Sequence, residues 1–160
     1  MIPDNIEKLK TSQYLRFIDT TPSSSSPTWK VVGIGVEEMS TSFSPQVDTI
    51  KWIIEDSSRN DHTSNQKQSS VTQKAYKNDP CFEFVNAGRD KLNYTTHILE
   101  VDTWSGSAGS YSAKMSDGLI TVTEYSGEEI SYDLYFDGDP TDGTVAISGG
   151  VPTFTPTASL

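Results

Sequence analysis

The sequence predicts a mainly β protein, a β-sandwich or open barrel with one flanking α-helix and a long polar loop. Hydrophobic residues make up only 34% of the 160-residue chain, which is rich in Ser, Thr, Gly and Asp, as in domains with many turns. Several segments alternate apolar and polar residues with a period of two, most clearly residues 130–136. The length fits a single domain over residues 1–160.

Candidate strands follow one another through the first half of the chain. Short runs enriched in β-branched and aromatic residues, separated by Gly, Pro and Ser, indicate strands. In one of these runs Ile50, Trp52 and Ile54 recur at every second position and predict one strongly apolar face. The five candidates are residues 14–18, 29–34, 36–43, 47–54 and 71–76.

Four segments are predicted to lack regular structure. Residues 55–70 contain no apolar side chain, and a loop of this length inside a compact domain is usually functional or disordered. The Ser-rich segment 21–27 is bounded by prolines, which disfavour regular structure. Residues 1–12 are expected to form a flexible N-terminal segment, and residues 149–160 a C-terminal tail.

One α-helix is predicted over residues 80–92. Asp79 suits the N-cap position, Pro80 suits the first helical position, and Glu83 complements the positive end of the helix dipole. Apolar residues then recur at helical spacing and form a stripe that would cover a sheet. The core-facing residues of this stripe are Cys81, Phe84, Val85 and Leu92.

The C-terminal half of the chain returns to β structure. Asp117-Gly118 is typical of a two-residue hairpin turn between two strands. The acidic segment 137–143 is rich in Asp-Pro and Asp-Gly and is predicted to be a further turn. The candidate strands of this half are residues 95–104, 111–115, 119–125, 130–136 and 144–147.

The charge and the residue inventory exclude several classes of function. Twelve basic residues against 22 acidic ones give a net charge of -10, and an acidic surface repels the phosphates of nucleic acid. The single cysteine, Cys81, rules out an intramolecular disulfide and any multi-cysteine metal site. His62 and His97 have no catalytic partner nearby in sequence. No nucleophile elbow, phosphate loop or dinucleotide fingerprint occurs, so we expect neither enzymatic activity nor a cofactor.

The sequence predicts neither a metal site nor an association with a membrane. Clustered carboxylates in residues 137–143 suit calcium, but a twelve-residue EF-hand loop would end at Ser148, which is not an acid. Turn formation explains the cluster, and we expect no metal. No apolar run approaches the length of a membrane span, and the N-terminus lacks the features of a signal peptide. The protein is therefore expected to stay in the cytoplasm where it is made.

Three stretches of the chain occur in a distinctive order and spacing. The first is WKVVGIGVEE at 29–38, which continues through SPQ to KWIIE at 51–55. The second is AYKNDPCFEF at 75–84, and the third is YFDGDPTDGT at 135–144. Together they resemble the major tail tube proteins of long-tailed, siphovirus-type bacteriophages over about residues 28–147. The Ser-rich segment and the length of the polar loop depart from the family pattern.

The resemblance implies a structural virion protein. Six copies are expected to form a ring, and rings to stack into a tail tube around a tape-measure protein. Tail-initiation or baseplate proteins and a terminator protein would be further partners, and assembly would occur in the host cytoplasm. Viral DNA would pass through an acidic channel during genome ejection without specific binding. The polar loop is implied to contact the next ring, and the residues inferred to make this contact are Asp56, Arg59, Asp61 and Lys67.

Two other classes of function remain compatible with the sequence. A carbohydrate-binding or host-attachment β-sandwich module is permitted by the three tryptophans Trp29, Trp52 and Trp104, at least two of which are expected in the core. Another tube or joining component, such as a type VI secretion tube subunit or a tail terminator, is also permitted. Electron micrographs of the concentrated protein would separate self-assembling classes from a binding module.

Overall fold

The fold is mainly β with one flanking helix, as predicted. The structure, a computed structural model, describes residues 5–107 and 109–157. These residues form ten strands, one α-helix and short 3-10 turns at Thr11–Gln13 and Thr103–Ser105. The strands are β1 (Tyr14–Asp19), β2 (Trp29–Val31), β3 (Val36–Ser42), β4 (Gln46–Ile50), β5 (Arg59–Ser64), β6 (Gln68–Lys74), β7 (Tyr94–Asp102), β8 (Tyr111–Tyr125), β9 (Glu129–Ser148) and β10 (Val151–Pro156), and the helix is α1 (Pro80–Ala87).

Seven of the strands form a curled antiparallel sheet, a half-barrel, in the order β2-β1-β7-β8-β9-β6-β3. β10 pairs with the C-terminal part of β9. Within the described ranges, β4 and β5 pair only with each other and form a separate two-stranded sheet. Of the two predicted architectures, the domain therefore adopts the open barrel.

Apolar side chains pack on both faces of the curled sheet. On one face, Cys81 and Val85 of α1 lie against a cluster that includes Ile98 of β7. On the other face, the neighbouring residue Leu99 belongs to a second cluster that includes Trp29. Successive strand residues point to opposite faces, and both Ile98 and Leu99 are fully buried. β7 is thus covered on both sides at this point, which accounts for the two successive apolar residues Ile98 and Leu99.

The predicted hairpin turn at Asp117-Gly118 is wrong, because both residues lie inside the long strand β8. Asp117 pairs with Asp137 across the sheet, and Gly118 pairs with Phe136. A Cβ atom on Gly118 would meet the Cδ1 atom of Ile98 at 2.5 Å. The glycine is therefore needed for close packing against β7 and not for a turn.

The acidic segment 137–143, predicted as a turn, also lies within a strand. The pairing of β8 with β9 is irregular here. Met115 pairs with Thr141 and Asp117 pairs with Asp137, so β9 has more residues than β8 between the two pairs. Gly138 has a φ of +70°, as the extra residues of a bulge require. In the part of the chain that the structure describes, no three His, Cys, Asp or Glu side chains are grouped to hold a metal ion.

The helix starts as predicted but ends early. The Asp79 side chain accepts a hydrogen bond from the backbone amide of Cys81 at 3.2 Å, and α1 stops at Ala87. Gly88 follows, where a Cβ atom would come within 2.0 Å of the Tyr94 ring. The chain must therefore leave the helix to let β7 pack beside it. No helix of the described residues has the length and hydropathy needed to cross a bilayer.

The assignment of Leu92 to the core face of the helix is wrong. Leu92 lies beyond α1 and is 93% exposed, whereas Cys81 and Val85 are fully buried as predicted. Phe84 is half-buried and stacks on the ring of Tyr94 with centroids 4.9 Å apart. The predicted apolar stripe runs past Gly88, where the chain is no longer helical and the spacing does not apply.

Truncation of Phe84 tests this revised helix face. Phe84→Ala is expected to lower the free energy of unfolding by about 2 kcal/mol, less than the ~3 to 5 kcal/mol typical of a fully buried phenylalanine. Leu92→Ala, which removes an exposed side chain from the same region, should change it by less than about 0.5 kcal/mol. Urea unfolding followed by fluorescence measures both. Equal losses for the two variants would contradict the placement of Leu92 outside the core.

Two segments predicted to be irregular contain strands. Residues 55–70 are not a single loop, because β5 and the start of β6 lie within them. The predicted strand at 47–54 ends at Ile50, and residues 51–58 form the turn that leads into β5. Within the tail at 149–160, β10 pairs with β9. In the N-terminal segment, residues 5–10 are exposed and irregular, while residues 1–4 and 158–160 lie outside the described residues.

Candidate functional site

A β-hairpin formed by β4 and β5 stands apart from the half-barrel. Every residue of both strands is exposed, so the hairpin has no buried face. Its strands are joined by the backbone pairing and by side-chain hydrogen bonds such as Thr63 to the carbonyl of Gln46 at 3.2 Å. An isolated two-stranded hairpin is only marginally stable in water. A partner that covers it would therefore stabilise it.

The tip of this hairpin is apolar and organised. We call residues 51–58 the hairpin tip. Its Trp52 is 54% exposed and its Ile54 86% exposed, while Ile53 is fully exposed. The amide of Glu55 donates to the carbonyl of Trp52 at 3.0 Å, which closes a turn. The Arg59 guanidinium lies 4.4 Å from the centre of the Trp52 ring and also pairs with Glu55. Contiguous exposed apolar side chains of this kind mark interaction sites.

The four charged residues predicted to contact the next ring do not form one site. Asp56 is exposed in the hairpin tip, and Asp61 is exposed on β5. Arg59 begins β5 and holds the tip together through Trp52. Lys67 lies outside the hairpin, with a side chain that is only 15% exposed. The apolar tip was missed because the tryptophan and isoleucines were assigned to a half-buried strand.

A cleft of about 640 Å³ lies where the base of the hairpin meets the open end of the half-barrel. We call it the mouth cleft. Aromatic rings of Phe43 and Phe136 contribute its apolar surface, and both cations and carboxylates contribute the polar part. Its lining consists of Phe43, His62, Thr63, Ser64, Asn65, Lys67, Glu100, Asp102, Ser112, Ala113, Lys114, Phe136, Gly138, Asp139 and Pro140.

A buried arginine lies inside the half-barrel near this cleft. Arg16 is 1% exposed and donates hydrogen bonds to the hydroxyls of Ser69 at 2.6 Å, Tyr14 at 2.7 Å and Thr41 at 2.5 Å. Its Nε has no hydrogen-bond partner among the described residues. These contacts join β1 to β6 and β3 across the interior. None of the three partners carries a compensating negative charge.

Glu100 supplies the negative charge for this cluster. Its carboxylate accepts a hydrogen bond from the Tyr14 hydroxyl at 2.6 Å and forms an ion pair with Lys67. The Lys67 ammonium also lies 4.4 Å from the centre of the Phe136 ring. Burial, reinforced by the adjacent Glu100, raises the pKa of Tyr14 to about 12, so the phenol remains a donor between Arg16 and Glu100. The sequence signal for this cluster was an arginine in the middle of an apolar strand.

His97 has a buried partner that was missed in the sequence. Its Nδ1 lies 2.9 Å from Oδ2 of Asp19. The other carboxylate oxygen, Oδ1, accepts hydrogen bonds from the amides of Thr21 and Thr28, each at 2.9 Å. Burial alone would raise the pKa of Asp19, but these hydrogen bonds outweigh it and lower the pKa. The carboxylate thus fixes both ends of the Ser-rich segment. The contact with Asp19 therefore gives His97 a structural role.

The histidine of the hairpin and the cysteine also have structural contacts. His62 Nε2 lies 2.6 Å from the amide oxygen of Asn65, and the two residues adjoin the mouth cleft. The sulfur of Cys81 lies 3.7 Å from the Tyr132 hydroxyl in the core. Burial raises the pKa of Cys81 to about 12, so the thiol stays protonated and unreactive at neutral pH.

One face of β6 and β9, opposite the helix, is polar. On this face, polar side chains of β6 contact polar side chains of β9. Ser70 donates to Asp133 at 2.8 Å, and Lys74 forms an ion pair with Glu129 at 2.6 Å. Glu129 balances the positive charge of Lys74, and hydroxyl groups lie between this pair and Asp133. This face therefore presents few sites at which a phosphate would be held.

The chain is thus a mainly β protein whose hairpin tip exposes apolar side chains beside the half-barrel. No known family model matches the sequence, and no curated protein is significantly similar to it.

Proposed function

We propose that this chain is a structural subunit that polymerises into a tail tube of a long-tailed bacteriophage, as stacked rings of six copies. The observation that carries the proposal is the hairpin tip, an apolar surface held away from the half-barrel on strands with no buried face. Such an element costs stability in an isolated molecule and gains it when another copy covers it. The hairpin tip therefore supports self-association as the function of the protein.

The open half-barrel supports lateral contacts within a ring. β2 and β3 lie at the two ends of the strand path, each with one unpaired edge among the described residues. Exposed edges of this kind are a liability in a monomer but pair readily with another strand. Neighbouring copies would continue the sheet around a lumen in which the tape-measure protein is housed. Initiation and terminator proteins would cover the ends of the tube.

The charge and the polar sheet face support passage of DNA through that lumen. The net charge is -10 for each copy and sixfold larger for a ring. If the polar face of β6 and β9 lines the lumen, its one lysine, Lys74, is already paired with Glu129. DNA would meet few cations and would slide without specific binding. α1, on the opposite face of the sheet, would then lie away from the channel.

A carbohydrate-binding or host-attachment module is the second candidate, because two tryptophans are exposed. Trp29 lies in the core, but Trp52 and Trp104 are about half exposed, so the expectation of at least two core tryptophans is wrong. The structure offers the flat rings that stack on sugars, although Trp52 is already covered on one side by Arg59. A type VI tube subunit or a tail terminator remains a variant of the first proposal.

Assembly of the purified protein tests the proposal. Concentrated protein, supplied with a tail-initiation complex as nucleus, is expected to form hollow tubes in electron micrographs and fast species in sedimentation velocity. Monomers without the nucleus are compatible, because a tube protein must avoid premature polymerisation. Monomers in its presence, together with binding to a glycan array that is lost in Trp52→Ala, would favour the carbohydrate-binding alternative.

A further inference from the structure

The two most distinctive surfaces of the molecule lie at opposite ends of the hairpin. The mouth cleft includes His62 to Asn65 at the base of β5, whereas Trp52 and Ile53 lie in the turn at the other end. Five strand residues at about 3.4 Å each separate base from tip by roughly 17 Å. The tip of a copy is therefore remote from its own cleft. It is free to reach the cleft of another copy.

The apolar parts of the two surfaces match. The tip presents one indole and two isoleucine side chains, and the cleft presents the rings of Phe43 and Phe136. Phe43 is itself half exposed. The tip is preorganised by Arg59, which stacks on Trp52 and pairs with Glu55, so little ordering is needed before contact.

The charges that lack an ion-pair partner are also complementary. In the cleft, Glu100 pairs with Lys67 and Lys114 pairs with an aspartate of β9, which leaves Asp102 and Asp139 without such a partner in the described residues. Burial, followed by the nearby Glu100, raises the pKa of Asp102. Lys51, which precedes Trp52 in the hairpin tip, likewise has no ion-pair partner among the described residues.

We propose that the hairpin tip of one copy inserts into the mouth cleft of a second copy, with Trp52 and Ile53 against Phe43 and Phe136 and Lys51 beside Asp139. This inference rests on the proposed self-assembly and identifies one of its contacts. It replaces the charged contacts expected from the sequence by an apolar contact with a single charge pair at its rim. Because tip and cleft are different surfaces, each copy donates once and accepts once. A head-to-tail contact of this kind builds an open assembly when the rotation between successive copies does not close a ring, and an open assembly suits the stacking direction.

Disulfide trapping tests the contact directly. Two populations, one carrying Ile53→Cys and the other Pro140→Cys, are mixed, assembled with the nucleus and oxidised. A disulfide-linked pair of the two chains is expected, because tip and cleft come from different copies. Native Cys81 does not interfere, since it is fully buried. The matched control replaces Pro140→Cys by Thr72→Cys, which is exposed on β6 away from the cleft and should give no such pair.

A charge exchange supplies the second test. Lys51→Glu and Asp139→Lys should each raise the concentration needed for half-maximal assembly about tenfold, and the double variant should recover most of this loss. If tubes assemble but neither the disulfide nor the charge effect is found, the docking is wrong while the tail tube proposal stands. If the wild-type chain forms no assembly with the nucleus, the proposed function fails and the docking fails with it.

Discussion

Replacement of residues 44–65 by an Asn-Gly turn is expected to leave the domain folded and to abolish its self-association. The amide of Gln66 donates to the carbonyl of Phe43 at 2.9 Å, so the two ends of the hairpin are already adjacent. A two-residue Asn-Gly turn is suited to such a junction. No residue of the removed segment belongs to either core cluster, and the free energy of unfolding should change by less than about 1 kcal/mol.

The loss of assembly should be complete, because the variant lacks the apolar tip and the strands that carry it. Circular dichroism and urea unfolding report the fold, and sedimentation velocity with the nucleus reports assembly. A deletion of residues 61–68 would be a poorer test, since it removes Lys67 and the first residue of β6.

A matched pair of point variants separates the tip from exposed apolar surface in general. Ile53 and Leu92 are both large aliphatic side chains that are almost entirely exposed. Ile53→Ala should weaken assembly, whereas Leu92→Ala, beyond the helix, should not. If the hairpin deletion variant forms normal tubes, the hairpin is not needed for assembly. An unfolded deletion variant, in contrast, would show that the hairpin contributes to the fold, contrary to its lack of buried residues.

The parts of the fold that were predictable have a local signal. Residues 130–136 alternate because one face of β9 is buried there, and Asp79-Pro80 fixes the start of α1 through capping. β5 has no such signal, because both of its faces are exposed and no period of two arises. The wrong prediction of a turn at Asp117-Gly118 has a different cause, which concerns Gly118. It serves a contact with Ile98 of the neighbouring strand, which no local pattern reveals.

The candidate site was less predictable because it depends on contacts between distant parts of the chain. Arg16 meets Ser69, which is 53 residues away, and Asp19 meets His97, which is 78 residues away. Lys67 was assigned to a loop surface, since only the curling of the sheet brings it to Glu100. Periodicity identifies which side chains face inward but not which of them meet. The exposed apolar tip is visible only once β4 is known to end at Ile50.

Neutralisation of Glu100 is expected to have the largest effect on stability. Glu100→Gln keeps the size of the side chain but leaves Arg16 and Lys67 as cations inside the half-barrel without the carboxylate that compensates them. Lys67 and Glu100 are only 15% and 13% exposed, so solvent cannot replace the lost charge. Removal of one partner from a buried ion pair typically costs ~3 to 5 kcal/mol, and we expect about 3 kcal/mol here.

The pair between Lys114 and Asp142 provides the control, because it is the same kind of contact on the surface. These side chains are 50% and 69% exposed, and Asp142→Asn should lower the free energy of unfolding by less than about 1 kcal/mol. Urea midpoints at low and high salt measure both variants. The Glu100→Gln effect should persist in high salt, since its charges are shielded from solvent, whereas the Asp142→Asn effect should shrink. Equal effects for the two variants would mean that Arg16 is compensated elsewhere, and that Glu100 is not the residue that holds the mouth of the half-barrel together.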